Sequence, residues 1–211
     1  MAVSLTDEQV GAVRERILRT TEHQIATRGI DGTSLRSIAT EMGWTAASLY
    51  RYFASKGELL AAARAAAHDR FSDRIEAAYA STDDLWQRSR AIGDAYVAFA
   101  FAERAAYQLI FAYNQPDSER TDDLRRAEAR SRLTMTTYLR DMVAAGLLEG
   151  DPDVIAQSYW AALHGLVVLH MANKLGDTPG FERMRHEAAR LITRGARPST
   201  PRQADDRLSG G

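Results

Sequence analysis

The sequence contains no cysteine, very few lysines and no long uninterrupted hydrophobic run. Without cysteine the chain has no disulfide bond, no thiolate metal site and no cysteine nucleophile. The longest apolar stretch, about residues 161–171, is interrupted by two histidines and is shorter than a membrane-spanning helix. The N-terminus also lacks the basic and then apolar pattern of a signal peptide. We therefore expect a cytoplasmic protein without membrane contact.

The net charge of the chain is close to zero, so it provides no overall attraction to a nucleic acid. Its formal charge is −1 over 211 residues, with a pI near 6.5, so it is not basic overall. Only two of its 27 basic residues are lysines, Lys56 and Lys174. Between Arg28 and Lys56, however, four basic residues face two acidic ones. Any surface that binds nucleic acid must therefore be local. The overall charge neither supports nor opposes nucleic-acid binding.

Patterns typical of enzymes and metal sites are missing. The sequence has no GxSxG, no phosphate-binding glycine loop and no acid pair placed by a known motif. Its five histidines are scattered, with no HExxH or EF-hand pattern. We expect no enzymatic activity, no metal and no cofactor.

Start and stop signals predict an all-α chain of about nine helices, and no segment alternates with the period of a strand. Thr6 and Gln9 form a capping box for the first helix. Asp151 followed by Pro152 is a cap with proline at the first helical position. The helices are predicted to begin near Thr6, Ser34, Thr45, Ser55, Thr82, Glu103, Asp117, Asp151 and Thr178. The tail 196–211 is almost without apolar side chains and is predicted to be disordered.

Residues 29–60 carry the most informative pattern. Ser34 or Thr33 can cap a short helix, Gly43 can end it with a positive φ, and Thr45 can cap the next. Ser55 with Glu58 predicts a capping box for a third helix. Two short helices joined by a glycine turn form a helix-turn-helix, whose second helix enters the DNA major groove. The alternative is an ordinary buried pair of helices.

The outward face of the second helix favours DNA over the buried pair. It offers hydroxyls, a methyl, a guanidinium and a phenol, with no carboxylate, from Thr45, Ala47, Ser48, Arg51 and Tyr52. These groups contact phosphates and base edges without repelling the DNA backbone. Lys56 lies in the first turn of the next helix, where the helix dipole disfavours a cation and a phosphate partner would explain it.

This stretch resembles the DNA-binding domain of the TetR/AcrR family of transcriptional repressors. The matching residues include the run LYxYFxSK and are Gly29, Thr33, Ile38, Ala39, Gly43, Thr45, Leu49, Tyr50, Tyr52, Phe53, Ser55, Lys56, Leu59 and Leu60. Farther along, Trp160, His164 and Gly165 resemble the signature of a WHG-type C-terminal domain found in one branch of that family. The resemblance implies a three-helix DNA-binding domain at 1–55 and a helical ligand-binding and dimerisation domain at 56–195.

The implied function is a ligand-responsive repressor that binds a pseudo-palindromic operator as a homodimer and is released by a small-molecule inducer. The expected DNA contacts are Thr33, Ser34, Thr45, Ala46, Ala47, Ser48, Tyr50, Arg51, Tyr52 and Lys56. Where the family often has lysine or proline and then glycine, this chain has Ala46 and Ala47, so base reading must rely on Arg51 and Ser48. The competing interpretation is a helical small-molecule binding protein that has lost specific DNA binding.

Aromatic residues and methionines are concentrated in the predicted helices five to eight. For each of them core packing is the ordinary explanation, but several together can also line a ligand pocket. His164 among apolar neighbours fits a hydrogen-bonded core histidine better than a ligand contact. The candidate pocket residues are Trp86, Tyr107, Phe111, Met135, Tyr138, Met142, Trp160 and His164.

The last two predicted helices carry more apolar surface than one small domain needs. In the family, the final two helices pair with those of a second subunit in a four-helix bundle. The candidate interface residues are Tyr159, Leu166, Leu169, Phe181, Met184, Ala188 and Leu191. The alternative is that these residues pack only within their own chain.

Overall fold

The structure, a computed structural model, describes residues 6–198. Within this range the chain forms nine α-helices, one short 3-10 turn and no strand, as the sequence predicts. The helices are α1 (Asp7–Arg28), α2 (Leu35–Glu41), α3 (Ala46–Tyr50), α4 (Lys56–Ala80), α5 (Leu85–Ala102), α6 (Arg104–Phe111), α7 (Asp122–Ala144), α8 (Pro152–Met171) and α9 (Phe181–Gly195).

Most of the predicted helix starts are confirmed by their caps. Thr6 accepts from the Gln9 amide while the Gln9 side chain accepts from the Thr6 amide, which is a complete capping box. Asp151 caps α8, and Pro152 occupies its first position. At α4 the arrangement differs, because Glu58 accepts from Ala54 N at 2.7 Å, one residue before the cap.

Three boundaries after residue 115 differ from the prediction. Asp117–Glu119 form the 3-10 turn, and α7 begins only at Asp122, where the Thr121 hydroxyl accepts from Leu124 N at 3.3 Å. The sequence predicts that α8 runs to about Leu175, but the helix stops at Met171, because Asn173 adopts a positive φ of 52°. α9 begins after Gly180 rather than at Thr178, without a side-chain cap.

The prediction of a disordered tail at residues 196–211 is wrong for its first residue, Ala196. Ala196 is buried, and its carbonyl accepts from Glu149 N at 2.7 Å, which ties the end of α9 to the turn after α7. Residues 199–211 lie outside the described part of the chain.

Packing divides the chain into two compact units, of which one ends at Met135 and the other begins at Thr136, both residues of α7. This division differs from the boundary predicted at residues 55 and 56. The first unit holds α1–α6 and the beginning of α7. The second holds the rest of α7 with α8, which packs against α9.

One of the apolar clusters in the first unit joins the first four helices. Its buried members come from α1, α2, α3, the turn after α3 and α4: Ile17, Leu35, Ile38, Ala39, Met42, Leu49, Phe53 and Leu59. Because α2 and α3 bury their inner faces here, their outer faces are held in fixed positions.

Candidate nucleic-acid interface

The turn between α2 and α3 has the geometry of a glycine-ended helix. Ser34 caps α2 by accepting from Ser37 N at 3.1 Å. Gly43 adopts φ +72°, and the next amide, that of Trp44, then donates back to Ala39 O at 2.7 Å. A side chain at residue 43 would strain this conformation. The turn therefore sets the direction in which α3 leaves α2.

Helix α3 is short: its five residues run from Ala46 to Tyr50. Thr45 caps it by accepting from Ser48 N at 3.2 Å. Leu49 points into the core and is fully buried, whereas Tyr50 on the opposite side is 55% exposed. Arg51 is exposed and forms the C-terminal cap, so the predicted helix 45–52 is shorter than expected.

The predicted DNA contacts differ in how far they reach the surface. Ser34, Thr45, Ala47, Tyr50 and Arg51 are exposed, and Ala46, Ser48, Tyr52 and Lys56 are half-buried.

Thr33 is the exception and corrects the prediction for its side chain. It is only 2% exposed, and its hydroxyl donates to Gly29 O at 2.9 Å. The Thr33 hydroxyl therefore stabilises the turn before α2 and is not available to DNA.

Two of the half-buried residues have partners inside the chain. The Tyr52 ring stacks on the Trp44 ring, with centroids 6.1 Å apart and planes 29° from parallel. The Lys56 ammonium donates to Ile30 O at 2.7 Å. That carbonyl accounts for a cation at the start of α4, and an ammonium has two further hydrogens that remain available for a phosphate. The phosphate role of Lys56 stays a prediction.

Helix α1 supports the interface through two polar side chains that sequence reasoning missed. Gln24 is fully buried, donates to Glu41 Oε2 at 2.8 Å and accepts from Ser37 Oγ at 2.7 Å, which locks α2 onto α1. Arg14 donates to the carbonyl of Tyr52 at 2.6 Å. Gln24 follows Ile17 by seven residues on the buried stripe, which is the one sequence signal that could have revealed it.

Four of the predicted pocket residues lie in the first unit. Tyr107 and Phe111 join a buried aromatic cluster, with ring centroids 4.8 Å apart, and the Tyr107 and Tyr96 hydroxyls are 2.9 Å apart. Burial raises the pKa of Tyr107 to about 12, so its phenol is neutral in the cell. Trp86 and Met135 are half-buried.

The other four predicted pocket residues lie in the second unit. Tyr138 and Met142 are buried, and burial raises the pKa of Tyr138. Trp160 and His164 are half-buried, with ring centroids 5.4 Å apart. Burial also lowers the pKa of His164, which favours the neutral imidazole. A shared pocket stays a prediction.

A groove of about 410 Å³ in the first unit lies elsewhere. Its lining includes alanines from α4 and α7 and charged side chains of both signs. None of the eight predicted pocket residues lines it: the lining is Arg14, Glu58, Ala62, Ala65, Ala66, Asp69, Thr121, Asp123, Arg126, Ala127 and Arg130. Among the described residues no cluster of three or more potential metal ligands occurs.

Helices α8 and α9 leave large apolar side chains in contact with solvent. Leu169 is 44% exposed and Leu191 63%, whereas Leu166, Phe181, Met184 and Ala188 are half-buried. Tyr159 is half-buried and its hydroxyl is hydrogen-bonded to Thr193 of α9. The Tyr159 hydroxyl therefore has a hydrogen-bond partner within its own chain.

The length and composition of α8 bear on the expectation that the protein has no membrane contact. The helix is long and apolar enough to cross a membrane by length and composition, and 17% of its most apolar window is buried. Length and composition alone do not distinguish a bilayer from a partner helix, so one such helix is weak support for a membrane span.

Comparison with known proteins gives two matches to family models. Residues 17–63 match the model described as bacterial regulatory proteins, tetR family. Residues 89–194 match the model of the tetracyclin repressor-like C-terminal domain, which covers the motif of Trp160, His164 and Gly165.

The chain is also similar to individual proteins, in sequence and in structure. An HTH-type transcriptional regulator of Mycobacterium tuberculosis is 28% identical over 141 residues, which are 66% of this chain and 59% of that protein. A structure from Rhodococcus sp. RHA1, of unknown function, is 26% identical with a TM-score of 0.78, over 88% of this chain and 96% of that one. A protein from Saccharomonospora viridis, solved in complex with choline, is 21% identical with a TM-score of 0.71, over 90% of this chain and all of that one, and shows the fold alone.

Proposed function

The chain belongs to the TetR family of bacterial regulatory proteins, and we propose on that premise that it is a homodimeric transcriptional repressor released from its operator by a small molecule. Members of this family are DNA-binding regulators rather than enzymes. We place this protein in the cytoplasm, where its operator would be. Each protomer presents α3 to one half-site of a pseudo-palindromic operator.

The observation that carries the proposal is the outer face of the α3 region. Thr45, Ala47 and Arg51 are exposed there, on a short helix whose inner face is anchored by Leu49 in the core. No carboxylate interrupts this face from Thr45 to Lys56. A surface of hydroxyls and one guanidinium suits both phosphates and base edges.

Arg51→Ala is the sharpest test of base reading, because Arg51 is the one long donor on that face. We expect the substitution to cost about 1–3 kcal/mol per half-site and to relax the preference at one base position, a guanine in the usual arginine pairing. The measurement is fluorescence anisotropy with the DNA upstream of the protein's own gene, followed by selection of bound sequences.

Arg36→Ala serves as the matched control for Arg51→Ala, since Arg36 is also exposed but lies on α2. Loss of a phosphate contact at Arg36 would weaken all sequences alike and leave the selected consensus unchanged. An unchanged consensus from Arg51→Ala would show that Arg51 does not read sequence. If the wild-type protein binds neither the upstream DNA nor any selected sequence, the proposal of a repressor is wrong. The alternative, a small-molecule binding protein that has lost specific DNA binding, then takes its place.

The exposed apolar residues of α8 and α9 support the dimer. We expect Leu191→Asp to raise the dimer dissociation constant at least about tenfold, because a charge would be buried at the interface. Sedimentation equilibrium of the full chain measures this constant. Leu133→Asp, at a leucine of α7 that is 56% exposed, is the matched control and should leave association unchanged. Equal effects of both substitutions would contradict an interface through α9.

The inducer is proposed to bind among the aromatic residues predicted from the sequence. The choline complex of the Saccharomonospora viridis protein makes choline a reasonable first compound to test. An inducer lowers operator affinity only if it binds more tightly to a conformation that fits the operator less well. A tenfold loss of operator affinity requires about 1.4 kcal/mol of such coupling.

A further inference from the structure

An arginine of helix α1 binds the segment that directly follows α3, the helix proposed to contact the bases. Arg14 Nη1 donates to the carbonyl oxygen of Tyr52 at 2.6 Å, across 38 residues of sequence. The same guanidinium lies over the ring of Phe53, with its central carbon 4.2 Å from the ring centroid. A planar guanidinium can make a directed hydrogen bond and an aromatic contact together, which an ammonium cannot reproduce.

The two partners of Arg14 lie where α3 leads into α4. Phe53 is 1% exposed and belongs to the core of the first four helices. Tyr52 stacks on Trp44, which lies just before the cap of α3. Arg14 therefore binds the C-terminal end of the segment from Trp44 to Tyr52, whose first and last side chains stack on each other.

A helix as short as α3 does not hold its own direction. Its five residues make little more than one turn, and so short a helix is unstable without its surroundings. The amides of Tyr52 and Phe53 both donate to Leu49 O, at 2.9 and 3.2 Å, which continues α3 into the segment held by Arg14. The position of the Tyr52 carbonyl therefore bears directly on the orientation of α3.

We propose that Arg14 is a positioning residue for DNA recognition, which holds the end of α3 against α1 so that Ser48 and Arg51 meet the base edges in register. The inference rests on the proposed DNA binding. This role differs from a phosphate contact, because it acts through the bonds of the guanidinium to a carbonyl and a ring within the protein. Loss of Arg14 should thus reduce the discrimination between sequences more than the attraction to DNA in general.

The test compares Arg14→Met and Arg14→Lys in the full chain, with operator and random DNA over a series of salt concentrations. Both variants are expected to lose about tenfold or more in operator affinity while random-DNA affinity changes little, so the ratio between the two falls. The slope of log affinity against log salt should stay unchanged, because no phosphate contact is lost. Arg16→Met, at an exposed arginine of the same helix, is the matched control and should preserve the ratio.

Several results would overturn the proposal. If Arg14→Met lowers the salt slope by about one per subunit and Arg14→Lys restores it, Arg14 binds a phosphate instead. If both variants bind as the wild type does, α3 does not need Arg14. If neither variant folds, as judged by thermal unfolding, Arg14 serves the fold and not recognition. A wild-type protein that fails to prefer any DNA sequence would instead contradict the proposed function.

Discussion

Replacing Arg64 by methionine is expected to lower the free energy of unfolding by about 2–4 kcal/mol, because several buried acceptors lose a donor while Glu128 keeps its ion pair with Arg120. The Arg64 side chain is 7% exposed and pairs with Glu128, which is 9% exposed, at 3.0 Å. It also donates to Leu109 O at 3.1 Å and to Gln115 at 3.3 Å. Methionine fills similar space but leaves three buried acceptors short of a donor.

Urea unfolding of wild type and Arg64→Met, followed by circular dichroism, measures this loss. Arg140→Met is the matched control, because Arg140 forms an ion pair with Asp153 in which both side chains are about half exposed. Such pairs contribute little, and the change should stay within about 0.5 kcal/mol. Similar losses in the two variants would contradict the assignment of Arg64 to a buried network.

The second large effect is a loss of stability in mild acid that depends on His68. Its side chain is buried on α4, with Nδ1 3.0 Å from Ser131 Oγ and Nε2 without a partner. Burial, helped by the nearby Arg64 charge, lowers the pKa of His68 to about 4. The folded protein therefore keeps this imidazole neutral at pH values where an unfolded chain would protonate it.

The sign of the effect follows from the two pKa values of His68. Above the unfolded value of about 6.5 neither state binds the proton, and the stability contributed by neutral His68 is fully present. As the pH falls from about 6.5 towards 4, His68 binds a proton in the unfolded state but stays neutral in the folded state. The cost reaches about 3 kcal/mol near pH 4.

Comparing urea unfolding at several pH values between 7.5 and 4.5 tests this expectation. His68→Asn keeps a hydrogen-bonding group near Ser131 but does not titrate, so it should lose less stability than wild type over this range. His23→Asn, at an exposed histidine of α1, should behave like wild type. An identical loss in wild type and His68→Asn would remove His68 as the cause.

Local signals predicted much of the fold because caps act over three or four residues. Thr6, Ser34, Thr45 and Asp151 each begin a helix where the sequence places one. Boundaries that depend on the rest of the chain were missed. α7 begins five residues late because the segment after Pro116 forms a 3-10 turn first.

The polar contacts that support the candidate interface were not predictable in this way. Arg14 meets Tyr52 across 38 residues, and Arg64 meets Glu128 across 64. Nothing in an isolated arginine distinguishes these positions from exposed ones, because long-range partners are fixed only by packing. For Lys56 the sequence predicts a phosphate contact, and the structure adds a partner that the sequence did not reveal, the backbone carbonyl of Ile30.

The scarcity of lysine also has a chemical consequence. Reagents and enzymes that acylate side-chain amines can act on only two residues of this chain, Lys56 and Lys174. Lys174 is exposed after α8, whereas Lys56 must first leave the Ile30 carbonyl before its amine can react. The ratio of the two labelling rates therefore reports, in the unaltered protein, how often the link between α4 and the turn after α1 opens. Acetylation at Lys56 would remove both the charge and this link at once.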